Sequence, residues 1–246
     1  MVYHLYITNK NYSSWSLRPW LLMRVLGIPF DEHLVPIISG SISQPHWKSF
    51  SPVAHVPCLH DSSLSEEQSI ILWESIAIVE HLAEAISDKH IYPVPERKAA
   101  RAWARSAVAE MHAGFGAIRN EMSMNIGLRI QLNVTKISGG LRRDLERIGE
   151  LWTEGLEKFG GPYLAGGEFT AVDAFYAPIV LRMQTFVGSM DLLGEKSKQY
   201  VDMMLGLPEM VEWVGDALKE TGRDVLHDED SIGGRKVLAD LRAKEE

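Results

Sequence analysis

Four short stretches of this chain carry side chains whose types and spacing suit chemistry. The first is Tyr12-Ser13-Ser14-Trp15-Ser16-Leu17-Arg18-Pro19, three serine hydroxyls, a phenol and a guanidinium at a strand-to-helix turn. A helix N-terminus presents free N–H groups and partial positive charge, so it favours an anion placed there. Alone, such a serine cluster is a helix cap. The second is Val56-Pro57, a proline after an extended residue, where a cis peptide at a strand start spares a ladder bond. The third is Glu74-Ser75, which opens another helix and offers a second free-amide site for a carboxylate. The fourth is Thr170-Ala171-Val172-Asp173, a hydroxyl followed three residues later by a carboxylate. That spacing is a variant of the capping box and is assigned to folding rather than chemistry.

These residues need elements to hold them. Val2–Thr8 reads as a strand with Val2, His4, Tyr6 and Thr8 on one face. Leu17, Leu21, Val25 and Ile28 recur at helical spacing, and Gly27 supplies the stop. Pro19 fits only a first turn, which sets the helix start near Ser16 and leaves Ser13 and Ser14 just ahead of it. Phe30–Pro36, Val56–His60 and Ile70–Trp73 read as further strands, Pro45–Phe50 as a short helix and Asp61–Ser69 as a polar connection. Ser75–Ser87 is a helix with Ile76, Val79, Leu82 and Ile86 on one side. Beyond Ile91–Pro95 the texture turns wholly helical. Ala100, Ala104, Ala107, Met111, Phe115, Ile118 and Met122 form one buried stripe of a long helix. Leu141 to Phe159 form a second helix, ended by Gly160-Gly161-Pro162. A third starts at Thr170, and two more cover Lys196–Leu205 and Pro208–Lys219. The expected organisation is an α/β domain over residues 1–87, a linker at 88–96, an all-α domain over 97–220 and a charged tail at 221–246.

Composition bounds the rest. The chain has 246 residues, enough for one or two domains with a self-sufficient core. Its formal charge of −8 argues against a nucleic-acid or anionic-membrane surface. No segment approaches the ~20 apolar residues of a membrane span. Met1–Thr8 lacks a basic flank and reads as a strand rather than a signal peptide, so a reducing, cytoplasmic setting is expected. The single cysteine, Cys58, excludes an internal disulfide, a CxxC pair and a multi-thiolate zinc site. The nine histidines show no metal-ligand spacing, so no metal site is expected.

The order and spacing of these motifs resemble a cytosolic glutathione transferase over roughly Val2 to Lys219. The Ser-Ser-x-Ser-x-Arg turn resembles the serine-type classes, the zeta class in particular. The stretches SSWSLRPWLLM and AEMHAGFGAIRNEMSMN look most like a bacterial and fungal branch with poorly assigned substrates. The resemblance implies a thioredoxin-like N-terminal domain that holds glutathione as cosubstrate. It also implies an all-helical domain that builds much of a second-substrate pocket, and a homodimer. Ser13 then matches the serine whose hydroxyl bonds the glutathione sulfur, with Ser14 as the neighbouring alternative. Val56, beside Pro57 and preceded by His55, matches the residue whose backbone pairs with the cysteinyl unit. Glu74 and Ser75 match the pair that binds the γ-glutamyl end. Trp15, Phe115, Arg119, Met122, Met124 and Asn125 are the candidate lining of the second pocket.

The chemistry of these residue types agrees with such roles. A free thiol with a pKa of about 8.5 is mostly protonated at neutral pH. A serine hydroxyl is too weak a base to take that proton, but it donates a hydrogen bond to the thiolate and lowers the thiol pKa. The proton's route stays open in the sequence. Cys58 lies on an apolar strand and reads as core, so the reactive sulfur comes from the cosubstrate. The expected activity is conjugation of glutathione to a hydrophobic electrophile, in the manner of a detoxification enzyme. One alternative is glutathione-dependent cis–trans isomerisation of a diacid, which needs cations such as Arg119 or Arg182 in the second pocket. Trp15, Glu74 and His55 depart from the zeta pattern, where cysteine, glutamine and glutamine stand. Another alternative is a non-catalytic ligand-binding or interaction module, which the intact serine turn opposes.

Overall fold

The computed structural model describes residues 2–37, 44–63 and 69–243. Part of the Asp61–Ser69 connection and the end of the charged tail lie outside that set. The first half is a four-stranded sheet in the order β2-β1-β3-β4, with β1 at Tyr3–Ile7, β2 at Asp31–Leu34, β3 at Cys58–Asp61 and β4 at Ile70–Trp73. β1 runs parallel to β2 and antiparallel to β3, which runs antiparallel to β4. Strict alternation on β1 buries Tyr3, Leu5 and Ile7 against the helices and leaves His4 and Tyr6 half-exposed. α1 (Ser14–Val25) forms the parallel crossover, and α2 (Ser75–Ala85) follows β4.

α1 begins two residues earlier than the proline suggested. The Ser13 side chain accepts from the Ser16 backbone N–H, so Ser13 is the N-cap and Ser14 the first helical residue. Pro19 therefore sits inside the helix rather than in its first turn. Strand β3 likewise starts at Cys58, so Val56 and Pro57 lie in the approach to it, and their peptide bond is cis.

The second half is helical: α3 (Lys98–Ala113), α4 (Gly116–Glu121), α5 (Gly139–Phe159), α6 (Ala171–Thr185), α7 (Glu195–Leu205) and α8 (Pro208–Lys219). The single long helix expected over Ala100–Met122 is broken at Gly114-Phe115, where Phe115 takes a left-handed conformation at φ 58°. The break frees carbonyls that Arg119 collects: its guanidinium donates to Gly114 O at 3.0 Å, to His112 O at 3.3 Å and also to Met111 O. α6 runs through the middle of the molecule against α1 and α3, and all but one of its residues are buried. Its start is the expected capping box, in which Thr170 N–H donates to Asp173 at 3.0 Å. Asp173 also accepts from Leu164 N–H and Tyr200 OH.

The last segment departs most from expectation. Residues read as a charged tail form α9 (Val225–Ile232) and strand β7 (Val237–Asp240). β7 pairs antiparallel with β5 (Leu128–Gln131), which pairs with β6 (Phe186–Val187) in a small sheet. Four-residue strands within helical surroundings leave too short an alternation to detect in sequence. Charge does not keep the segment loose, because Arg242 pairs with both Asp228 and Asp240 at 2.7 Å. Among the described residues no helix is long and apolar enough to cross a membrane.

Candidate active site

The turn between β1 and α1 is anchored from several directions. Glu220, after α8, accepts from the backbone N–H groups of Lys10 at 2.7 Å and Asn11 at 3.2 Å. Asn11 takes Gly127 N–H on its side-chain oxygen and donates to Asn125. Tyr12 OH donates to Asp228 of α9 at 3.1 Å. The chain is thereby fixed where it delivers Ser13. The Ser13 and Ser16 hydroxyls are 2.7 Å apart, and Ser16 Oγ lies 3.5 Å from Thr8 N. A hydroxyl proton rotates freely, so Ser16 can donate to Ser13 and leave the Ser13 proton for an anion above the helix start.

Two cavities meet at this point. The smaller, about 290 Å³, is lined by Trp15, His55, Val56, Pro57, Glu74 and Ser75, together with Val53 and Trp73. The larger, about 320 Å³, holds Ser13, Ser14, Trp15 and Val56 on one wall. Arg119, Ser123, Met124, Arg182 and His227 stand on the other. Trp15 and Val56 belong to both. Glu74 precedes α2 with φ 70°, a left-handed conformation that is costly for a side-chain-bearing residue. It leaves the carboxylate exposed while Ser75 is buried at the helix start. Such an outlier holds only where surrounding structure fixes it, and here it sits on a cavity wall.

Cations crowd Trp15. The Arg18 guanidinium lies 4.1 Å and that of Arg119 4.7 Å from the ring centroid. His112 meets the ring edge-on at 5.3 Å, with Nε2 3.8 Å from a Glu74 oxygen. Arg18 is fully buried, reaches Ser75 Oγ at 3.4 Å and leaves Nε and one terminal nitrogen without partners. Burial first, and Arg119 and Arg182 second, push Arg18 well below its ordinary pKa. Arg182, buried on α6, donates to Met122 O at 2.7 Å and Pro178 O at 3.4 Å. Burial and then Arg119 lower it to about 9. Neither Arg119 nor Arg182 forms an ion pair with a carboxylate among the described residues, Asp144 acting on Arg119 only from farther off, and among those residues no carboxylate lines the larger cavity. Buried positive charge without a counter-ion is costly, so this cavity favours an anionic guest.

Sequence reasoning brings together Ser13, Ser14, Trp15 and Val56 in the larger cavity and His55, Val56, Pro57, Glu74 and Ser75 in the smaller. Of the expected second-pocket lining, Trp15, Arg119 and Met124 do face the cavity. Phe115 and Met122 do not; both are buried in the core, Phe115 edge-on to Tyr176. Asn125 is also fully buried, bonding Asn11 and Asp228 behind the wall rather than lining it. Phe115 and Met122 keep the buried stripe that their spacing gives them, and Asn125, beyond α4, is held by the serine turn and α9. Asn120, Ser123 and His227 were missed as lining; His227 comes from the segment read as a tail, where no motif marks it. Cys58 faces Phe50 O at 3.4 Å, and burial pushes its thiol up to about 11, so it stays protonated. Among the described residues no group of three or more His, Cys, Asp or Glu side chains is arranged to hold a metal ion.

Comparison with known proteins bears on the N-terminal domain and the fold. The family model of the glutathione S-transferase N-terminal domain matches residues 12–85. A glutathione S-transferase-like protein, OpS6, from Beauveria bassiana is 23% identical over 193 residues, covering 76% of this chain and 82% of the relative. The fold matches that of glutathione transferase Omega 2S from Trametes versicolor with a TM-score of 0.62 at 17% identity, over 93% of this chain and 95% of the other. It also matches a glutathione transferase homologue from Lodderomyces elongisporus, solved with two glutathione molecules per subunit. That TM-score is 0.65 at 17% identity, over 87% and 98% of the two chains. Residues 12–85 thus match a glutathione S-transferase N-terminal domain, and the chain as a whole has the α/β-then-helical fold of the cytosolic glutathione transferases.

Proposed function

We propose that the chain is a serine-type glutathione transferase that conjugates the glutathione thiolate to an electrophilic small molecule. The observation that carries this reading is the shared wall of the two cavities. A tripeptide with its γ-glutamyl end at Glu74 and Ser75, and its cysteinyl unit along Val56, reaches the Ser13 corner of the larger cavity with its sulfur. Glutathione in the Lodderomyces homologue supports the cosubstrate. Ser75 and the free amides of α2 suit the γ-glutamyl carboxylate, and the exposed Glu74 carboxylate suits its ammonium. Ser13 Oγ, with its acceptor side occupied by Ser16, donates its proton to the thiolate beside the positive end of α1. Holding thiolate and electrophile in one cavity supplies a further part of the rate gain. Homodimeric assembly in the cytoplasm rests on the resemblance.

Ser13→Ala should lose the ultraviolet thiolate band of bound glutathione, and kcat/KM should fall by roughly 10²–10³, the effect of removing one anion-stabilising donor. Ser14→Ala should keep both. The opposite pattern would move the sulfur contact to Ser14.

A second reading has one observation behind it. Arg119 and Arg182 line the larger cavity without carboxylate partners, which suits a cis-diacid undergoing glutathione-dependent isomerisation. Turnover of a maleyl diacid in preference to an uncharged electrophile, with no glutathione consumed, selects this reading. Stoichiometric loss of glutathione selects conjugation.

A further inference from the structure

Serine cannot take the thiol proton, and the larger cavity contains a group that can. His227, on α9, lines that cavity together with Ser13 and Ser14. Its Nδ1 lies 3.2 Å from Asp224 Oδ2, and its backbone N–H also donates to Asp224, the N-cap of α9. Asp224 is buried, with its side chain 5% exposed, whereas the His227 side chain is 26% exposed. The carboxylate fixes the tautomer with the proton on Nδ1 and leaves Nε2 as acceptor; Nε2 makes no hydrogen bond among the described residues. This is the orientation a carboxylate gives a histidine base.

Among the described residues, no other side chain on the cavity wall suits the task. Arg119 and Arg182 stay charged at neutral pH, and the hydroxyls of Thr8, Ser13, Ser14 and Ser123 do not ionise there. Burial chiefly raises the Tyr12 phenol, whose OH is committed to Asp228. The charged groups around His227 are known from each element packed on it. Asp224 and Asp228 come from its own helix, Arg242 reaches Asp228 from beyond β7, and Arg119 and Arg182 stand across the cavity. The base is also tied to the serine turn. Tyr12, next to Ser13, bonds Asp228, accepts from Asp224 N–H at 3.3 Å and lies with its ring 5.5 Å from that of His227. Donor and acceptor therefore move as one unit.

We propose that His227, braced by Asp224, accepts the glutathione thiol proton; this rests on the glutathione transferase reading above. The S–H bond breaks, its electron pair stays on sulfur, and the proton forms N–H at Nε2. The imidazolium pairs with Asp224 while Ser13 holds the thiolate. When the carbon–sulfur bond has formed, the proton passes to the carbon that took up the electron pair in an addition; in a displacement the carbon–leaving-group bond breaks, the leaving group departs as an anion with the electron pair, and the proton passes to water.

The test uses the full chain with glutathione and an activated chloronitrobenzene. His227→Gln should bind glutathione within about twofold of wild type by calorimetry, yet lose about 100-fold in kcat/KM, the lower range of general-base catalysis. Imidazole added to the buffer should restore part of that rate. Asp224→Asn, which keeps a capping oxygen but gives the imidazolium no counter-charge, should lower kcat and leave glutathione binding unchanged. An unchanged kcat/KM in His227→Gln overturns the proposal. So does a loss of rate that imidazole leaves unaltered, or a loss that tracks weakened glutathione binding. Wild-type protein that neither binds glutathione nor forms its thiolate overturns the transferase reading and this proposal with it.

Discussion

The two cavities share Trp15 and Val56 but are built in opposite ways. The smaller draws its lining from residues 15–75, in the α/β half of the molecule, where one turn and one helix start present backbone groups and short polar side chains. The larger is assembled from the α1 start, α4 and the residues just after it, α6 and α9, with Thr8, Ile37, Trp47 and Val56 from the α/β half. The smaller bears a carboxylate, Glu74, whereas the larger bears two arginines, a histidine and no carboxylate among its described lining residues. The difference teaches that one cavity can be carried by local motifs while its neighbour depends on packing between distant segments.

The comparison can be broken or sharpened by separating effects on glutathione from effects on the second substrate. Ser75→Ala should have the largest effect of this kind. Loss of a hydrogen bond to a carboxylate of about 1.5–3 kcal/mol should weaken glutathione about 10- to 100-fold, equally for every electrophile. Isothermal titration with glutathione alone checks this, and a change that depends on the electrophile would blur the two cavities. Arg182→Met should come next. It should cut kcat/KM for a carboxylate-bearing electrophile about tenfold relative to an uncharged analogue, and leave glutathione affinity unchanged. Because it also removes a buried charge without a counter-ion, its cost in stability should be small. Equal loss on both electrophiles would show that the arginine only supports the fold.

The smallest effect concerns His112, which stands between the cavities. Burial first, and Arg18 second, lower its pKa, so the native state resists protonation more than the unfolded chain does. The unfolded chain then binds more protons as pH falls below the ordinary histidine value of about 6.5, and stability drops in that window. Above it the contribution is fully present. Urea midpoints measured across the window should fall less steeply for His112→Gln than for wild type. An identical slope would remove His112 from the electrostatics that link the cavities.

Legibility followed the same division. Ser13, Val56-Pro57 and Glu74-Ser75 were readable because each is a local backbone device, a cap or an extended entry, whose residue types follow from short-range geometry. The Thr170–Asp173 box was readable for the same reason, and its capping pattern appears in the structure. Phe115, Met122 and Asn125 were placed on the pocket wall by resemblance, whereas the stripe of Phe115 and Met122 points into the core, and that stripe does not announce the helix break. Gly114 extended and Phe115 left-handed are stabilised by Arg119 reaching back to three carbonyls, a contact that no spacing rule reveals. His227 was invisible because its neighbours Asp224 and Asp228 resemble a solvated charge run until Tyr12 and Arg242 close on them.

The sequence by itself determined the α/β start, the helical remainder and the two helix starts at Ser13-Ser14 and Glu74-Ser75. Periodicity, caps and prolines act within a few residues, so one strand of text contains them. Tertiary structure alone decided where α3 breaks, that the final segment folds back as α9 and β7, and that two arginines and a histidine face Ser13 across one cavity. Those outcomes depend on buried charges and hydrogen bonds between segments more than a hundred residues apart, such as Tyr12 with Asp228 and Lys10 with Glu220. Their energies exist only once the chain has closed on itself.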